Sequence, residues 1–223
     1  MSLTRALCHA AGVAGLVLVT SVGATAQYVH LTLQSQPGDF IGQGQNYDIL
    51  YTPTPGNYFS IGASNNSSVS PNAPDTVGFT VSQFEKDPDN LLLLDFSTRK
   101  LGTPLIPGTY TDAQRFPFEA VGHPGFDCSF DHRGSNELSA SFTITNLTYT
   151  ITSSNAFVLN AFDASFEQHS GGASPALFGQ VSYRDTGNAP VPEASTTVTF
   201  GLLLALGMGG VIVAARKKKM TSA

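Results

Sequence analysis

The stretch LSASFTITNLTYTI, residues 138–151, indicates the fold most directly. Its first apolar residues alternate with polar ones, at Leu138, Ala140, Phe142 and Ile144. A period of two is typical of a strand that buries one face. After Thr145 and Asn146 the apolar positions shift by one residue, to Leu147, Tyr149 and Ile151. We expect a β-bulge or a tight bend there, because a phase slip would otherwise turn the apolar side chains toward solvent.

The residues that follow predict a hairpin and further strands. Thr152-Ser153-Ser154-Asn155 has the composition of a turn, and residues 157–166 return as its partner strand. Other short strands are predicted at 28–33, 47–51, 58–61, 77–81, 90–96 and 177–183, the last one contributing Phe178, Val181 and Tyr183. Four consecutive leucines in 90–96 favour a strand buried on both faces. Because no sustained helical period occurs, we expect an all-β domain, an antiparallel β-sandwich of the jelly-roll-like or Ig-like kind.

The end of the chain carries three signals in a fixed order. A Pro-Glu motif, residues 191–195, stands first in an extended linker. Residues 198–215 contain no ionisable side chain, and a run of about 18 residues is the lower limit for a helix that crosses a bilayer. A basic cluster then ends the segment, made of Arg216, Lys217, Lys218 and Lys219. Such a cluster stops transfer and stays on the cytoplasmic side, which predicts a precursor anchored in the inner membrane.

This tail, residues 189–219, resembles the PEP-CTERM sorting signal of Gram-negative bacteria. In that family a Val-Pro-Glu-Pro motif precedes a transmembrane helix and a short basic terminus. Val191, Pro192 and Glu193 match the motif, whereas Ala194 stands where the family has a second proline. The resemblance implies that a membrane-embedded exosortase cuts near the motif and releases or re-anchors the body. The alternative is a single-pass anchor that is never cleaved.

The other end of the chain, residues 1–26, has the pattern of a secretory signal peptide. Arg5 supplies the positive charge, an apolar stretch follows, and Ala24-Thr25-Ala26 forms a small-x-small cleavage site. Signal peptidase should therefore leave Gln27 as the first residue of the mature chain. With a stop-transfer signal at the other end, the body (27–188) is expected outside the inner membrane, in the periplasm, at the cell surface or in the medium.

The charge of the body argues against some partners. Within residues 27–188, fifteen acidic residues face six basic ones, which leaves a net charge of −9. Such a surface repels nucleic acid, so we expect no nucleic-acid binding. The body also contains many aromatic residues, which distinguishes it from a disordered stalk.

The densest polar cluster of the body consists of Asp127, Asp131 and His132, in a segment that also holds Gly and Pro. Hard cations prefer several oxygen ligands, which makes these three residues the candidate ligand or ion cluster. Their spacing matches no known ion-binding loop, however, and solvated loop carboxylates are the alternative. We therefore expect no metal and no cofactor.

Several other polar residues of the body have simple structural interpretations. Arg115 lies between aromatic residues, where it can stack or pair with an acid. His169 at a strand end is expected to be a satisfied structural group, and Cys128, the one cysteine of the mature body, a partly buried spectator. Glu119 and Glu137 could form a catalytic carboxylate pair only if the fold brought them together. Since no nucleophile elbow or phosphate loop occurs, no catalytic residue is assigned.

The body also resembles a recurrent exported bacterial β domain of no assigned activity, through residues 37–44, 107–118, 166–170 and 176–179. In that group, cysteines stand where this chain has Ser135 and Ser170. The resemblance implies that the two serines lie close together, within the span of a disulfide.

Three functions remain open after these observations. The first is an exosortase-sorted surface or matrix protein without enzymatic activity; the PEP-CTERM resemblance implies an association with exopolysaccharide in a biofilm or envelope. The second is a carbohydrate-binding module, for which the candidate stacking residues are Tyr28, Tyr47, Tyr51 and Tyr58. The third, with the least support, is a hydrolase acting on polysaccharides or esters.

Overall fold

The structure is a computed structural model that describes residues 27–54, 56–65, 71–83, 87–172 and 174–185. The predicted signal peptide (1–26) and the predicted sorting signal (189–219) lie outside the described residues. Within the described ranges, no helix is long and apolar enough to cross a membrane.

Strands dominate the described chain. In chain order they are β1 (Gln27–Ser35), β2 (Asn46–Tyr51), β3 (Phe59–Ser64), β4 (Thr76–Gln83), β5 (Asp87–Ser97), β6 (Gly108–Arg115), β7 (Gly125–Phe130), β8 (Leu138–Ile151), β9 (Phe157–Ser170) and β10 (Ala176–Asp185). A single 3-10 turn, Arg99–Leu101, separates β5 from β6. The prediction of an all-β domain is confirmed for the described residues.

The strands form one mostly antiparallel sheet in the order β2-β1-β10-β9-β3-β4-β5-β7-β6-β8, and β8 also pairs with β9. Two joints in this sheet are narrow. One is a single pair, Ala63 with Phe157, between β3 and β9. The other consists of two parallel pairs between β6 and β7. Longer antiparallel ladders therefore group the strands as β2-β1-β10-β9-β8-β6 and as β3-β4-β5-β7.

Aromatic side chains from the two groups meet in one core. The ring centroid of Phe96 in β5 lies 5.0 Å from that of Phe162 in β9 and 5.3 Å from that of Phe142 in β8. The ring centroids of Phe79 in β4 and Tyr183 in β10 lie 6.0 Å apart. These residues occupy the alternating apolar positions of their strands, and they belong to a larger buried apolar cluster whose removal from water drives folding.

The strand pair β8–β9 contains the features predicted from its sequence. The register between the strands shifts between Ile144 and Asn146, which confirms the predicted bulge. The backbone N–H of Asn155 donates to the carbonyl of Thr152 at 2.9 Å, which confirms the turn. Asn155 has a φ of 61°, a left-handed conformation that asparagine tolerates better than most residues.

The leucine run of β5 is not buried on both faces, contrary to the prediction. Leu92 and Leu94 are completely buried, whereas Leu91 and Leu93 are only partly buried. The aromatic core lies on one face of β5 only, so the strand alternates like its neighbours. Its other face carries Asp95 beside the two partly buried leucines.

The backbone brings the neighbourhoods of Ser135 and Ser170 together. Ser170 is the register partner of Leu138 at the start of β8. The hydroxyl of Ser135 donates to the carbonyl of Glu137, and the same carbonyl accepts from the N–H of Gly171. The two segments thus converge on one carbonyl group, while the separation of the two serine Cα atoms stays a prediction.

Candidate functional site

The structure does not bring Asp127, Asp131 and His132 together as a ligand set. Asp127 lies within β7, whereas Asp131 and His132 form the turn after it, with φ values of 51° and 60°. Asp131 is paired with Arg133, whose Nη1 lies 2.8 Å from Asp131 Oδ2. In the part of the chain that the structure describes, no group of three His, Cys, Asp or Glu side chains could hold a metal ion.

Asp127 instead faces Asp95, its direct cross-strand partner on β5. Burial raises the pKa of Asp95 to about 7, and the neighbouring Asp127 carboxylate adds to that shift. Burial also raises the pKa of Asp127 to about 6, although Arg115 opposes the shift. Among the described residues, Asp127 Oδ1 is buried without a hydrogen-bond partner. Two acids that are close and poorly solvated resist being charged together, so we expect the stability of the protein to depend on pH through this pair.

Arg115 stacks on an aromatic ring, as its sequence setting suggested. Its guanidinium carbon lies 4.9 Å from the ring centroid of Phe118, and its Nη1 contacts the carbonyl of Asn136 at 3.5 Å. Its charge also opposes the rise that burial causes in the pKa of Asp127. These contacts give Arg115 a structural role between Phe118, in the β6–β7 loop, and Asn136, before β8.

The surroundings of His169 and Cys128 also indicate structural roles rather than catalytic ones. His169 Nε2 lies 2.9 Å from Glu167 Oε1 on the same strand. Cys128 is completely buried, more so than predicted, and burial raises the pKa of its thiol well above the usual range. A thiol in that state is a poor nucleophile, since the thiolate is the reactive form.

A shallow groove crosses the outer face of β1, β10, β9 and β8. It encloses about 300 Å³, and an adjoining depression of about 440 Å³ shares its central residues, Thr32, Ser165 and Gln180. The strand register aligns these three in one row, which continues to Thr143 on β8. A second row, two residues along each strand, contains Gln34, Phe178, Glu167 and Ser141.

The polar side chains at the centre of the groove are available to a ligand. Within the described residues, Thr32, Gln34, Ser165 and Gln180 form no side-chain hydrogen bond to protein groups. They belong to strands whose backbone groups are already paired in the sheet. A molecule lying in the groove would therefore be recognised by hydroxyl and amide side chains.

The carboxylates that line the groove already have partners. Arg184 holds Asp163 through two bonds of 2.8 Å, and Ser182 and Asn146 also donate to it. Burial acts to raise the pKa of Asp163, but the hydrogen bonds from Arg184, Ser182 and Asn146 lower it below its ordinary value. The groove is therefore polar and slightly acidic, and the negative charge of Asp163 is balanced by the positive charge of Arg184.

Phe178 supplies the exposed aromatic ring of the groove, whereas Phe142 and Phe166, which also line it, are buried. The sequence interpretation had grouped Phe178 with Val181 and Tyr183. Those two residues are buried, whereas Phe178 is 37% exposed on the opposite face of β10. The signal was present in the sequence, because an even-numbered residue cannot share a strand face with residues 181 and 183.

Two of the tyrosines predicted as stacking residues are committed to the core. Tyr51 is buried, and the ring of Tyr47 packs against Phe130 with centroids 4.7 Å apart. Tyr58 is exposed, but neither Tyr58 nor Tyr28 lines the groove.

No protein-family model, curated protein or solved structure matches this chain.

Proposed function

We propose that this chain is exported, sorted by an exosortase, and displays its β domain at the cell surface or in the extracellular matrix without enzymatic activity. The observation that carries the proposal is the order of signals in the sequence, a signal peptide at 1–26 and a PEP-CTERM-like segment at 189–219. Signal peptidase and exosortase would be its processing partners, and the inner membrane a transient one. The same resemblance supports an association with exopolysaccharide in a biofilm or envelope.

The arrangement of the two ends of the body supports display from one side. Gln27 is the register partner of Asp185, and its Nε2 donates to Asp185 Oδ2 at 2.9 Å. Both predicted signals therefore adjoin the same end of the β1–β10 pair. If fully extended, residues 186–197 would span at most about 40 Å before the predicted membrane helix. A precursor built in this way would hold that end of the body near the bilayer.

We further propose that the two groups of strands are the layers of a β-sandwich. The narrow joints between the groups and the aromatic contacts across the core support this arrangement. The ten strands of the described residues exceed both the seven to nine of Ig-like domains and the eight of a jelly roll, so either alternative would carry additional strands.

Intact mass combined with cell fractionation tests the sorting proposal. Expressed with and without an exosortase, the chain should begin at Gln27 in both hosts. It should end within 191–195, outside the membrane fraction, only where the exosortase is present. An uncleaved C-terminus in the membrane fraction of both hosts would contradict the proposal and leave a permanent anchor.

The carbohydrate-binding alternative is favoured by one specific observation, the groove that contains Phe178. It is compatible with display, because a displayed domain can act by binding an extracellular polymer.

A further inference from the structure

We propose that the groove on β1, β10, β9 and β8 binds a neutral polysaccharide, with Phe178 as the stacking surface. The proposal names a ligand for the displayed body, and it rests on the proposed function only in assuming that the body is displayed outside the cell. The binding site is a property of the folded domain, whichever way the tail is processed.

The chemistry of the groove matches sugar hydroxyl groups. Its available side chains carry hydroxyls or carboxamides, and both groups donate as well as accept hydrogen bonds. Sugar hydroxyls have the same double capacity, so each ligand hydroxyl could form bonds in either direction. The groups that would provide these bonds are the side chains of Thr32, Gln34, Ser141, Ser165 and Gln180.

Phe178 provides the apolar element that a sugar ring requires. On the sheet it lies between Gln34 and Glu167, its partners on the two neighbouring strands. The C–H groups on one face of a pyranose can pack on an exposed aromatic ring while its hydroxyls reach the polar neighbours. A small number of polar groups around an apolar surface is the usual composition of a specific binding site.

The distribution of charge selects a neutral chain. Asp163 and Glu167 line the groove, and the body has a net charge of −9. The basic groups beside the groove already contact acids: Arg184 binds Asp163, and His30 Nε2 lies 2.6 Å from Asp48 Oδ1. Since the body as a whole is acidic, and His30, the basic residue among the described groove-lining residues, already contacts an acid, a polymer of uronic acids would meet net repulsion.

The shape of the site favours a chain over a single sugar. The two depressions share Thr32, Ser165 and Gln180, so together they form one continuous path along the strands. A peptide in extended form would more readily add to an open sheet edge, where backbone groups are available. On the sheet face the backbone groups are already paired, which leaves recognition to side chains.

Affinity electrophoresis of the full-length protein tests the proposal. Gels would contain dextran or hydroxyethyl cellulose as neutral polymers, and alginate as the polyuronate. We expect retardation by at least one neutral polymer and none by alginate. Phe178→Ala should weaken binding at least tenfold, and Gln180→Ala should weaken it severalfold.

The matched control is Phe118→Ala, which removes a phenylalanine that is 72% exposed and lies outside the groove. It should leave retardation unchanged, and circular dichroism should show that all three variants keep their fold. The proposal is overturned if neither neutral polymer binds, if alginate alone binds, or if binding survives both groove substitutions. Groove-dependent binding of peptides without polysaccharide binding would also overturn it. Failure of the sorting proposal would appear in the mass and fractionation experiment and would leave the binding result unaffected.

Discussion

The side chain of Gln168 on β9 forms two hydrogen bonds with the backbone of Cys128 on β7. Gln168 Oε1 accepts from the N–H of Cys128 at 2.9 Å, and Gln168 Nε2 donates to the carbonyl of Cys128 at 3.1 Å. Both residues are completely buried. On that edge β7 pairs with β6 only at Gly125 and Phe126, so the glutamine amide replaces a missing strand neighbour.

Replacing Gln168 by leucine should destabilise the protein strongly. Two buried backbone groups would lose their partners, at a cost of roughly 1–3 kcal/mol each. Urea unfolding should therefore show a loss of about 2–6 kcal/mol. The control is Gln180→Leu, which replaces an exposed glutamine on the neighbouring strand and should change stability little. An equal effect of the two substitutions would argue against the bridging role of Gln168.

The acid pair predicts a loss of stability as pH rises. The pKa values of Asp95, about 7, and of Asp127, about 6, lie above the ordinary aspartate value, so the folded state retains protons that the unfolded state has lost. Their contribution is therefore complete below about pH 4 and is lost as pH rises through about 7. Asp95→Asn should flatten this dependence and raise the free energy of unfolding at pH 8 by about 2 kcal/mol.

The control for this experiment is Glu137→Gln, because Glu137 is an exposed carboxylate. Urea unfolding between pH 4 and pH 8 should show the difference from wild type growing with pH for Asp95→Asn only. A constant difference across that range would mean that Asp95 is ionised throughout, and that burial beside Asp127 does not raise its pKa.

Gly179→Ala should disrupt the packing of β10 on β9. A Cβ atom at Gly179 would come within 2.1 Å of the Phe166 ring, which occupies the space that the glycine leaves. Overpacking of this kind costs about 1–3 kcal/mol, and thermal unfolding would detect it. Gly62→Ala on β3 is the matched control, since no atom lies within 4 Å of its added Cβ. Equal melting temperatures for the two variants would contradict the close packing.

A double substitution of Ser135 and Ser170 by cysteine should form a disulfide under oxidising conditions. Such a bridge should raise the free energy of unfolding by about 3 kcal/mol through its effect on the unfolded chain. Thiol counting after denaturation should find only Cys128 free. The single substitution Ser135→Cys is the control, and two further free thiols in the double variant would show that the segments lie too far apart.

Ala194→Pro should increase the fraction of chains cut by the exosortase, because it restores the second proline of the PEP-CTERM motif. The ratio of cleaved to uncleaved protein on an immunoblot measures this effect. Ser195→Ala, the adjacent substitution, should leave the ratio unchanged. A cleaved fraction that is no higher in Ala194→Pro would show that this position does not limit processing.

Local patterns predicted the hairpin well and the groove poorly. The bulge near Asn146 and the turn at Asn155 depend on neighbouring residues, so the period of the sequence was sufficient to find them. The full burial predicted for Leu91 was wrong, because consecutive apolar residues do not show which face of a strand meets the core. Phe178 had been grouped with Val181 and Tyr183, which lie on the opposite face of β10. Spacing along the chain also could not reveal that the cross-strand partner of Asp127 is Asp95, which lies on another strand.

The sequence by itself determined the β character of the body, the bulge and turn of β8–β9, and its strong negative charge. These properties depend on residue type and on spacing along the chain, and the predictions of export and sorting also derive from that local information. Only the tertiary structure decided that Gln168 bridges to Cys128, that Asp95 faces Asp127, and that Phe178 lies among hydroxyl and amide groups. Distant strands choose their partners by burying whole sheet faces together, and that choice is made by the assembled core rather than by any short stretch of sequence.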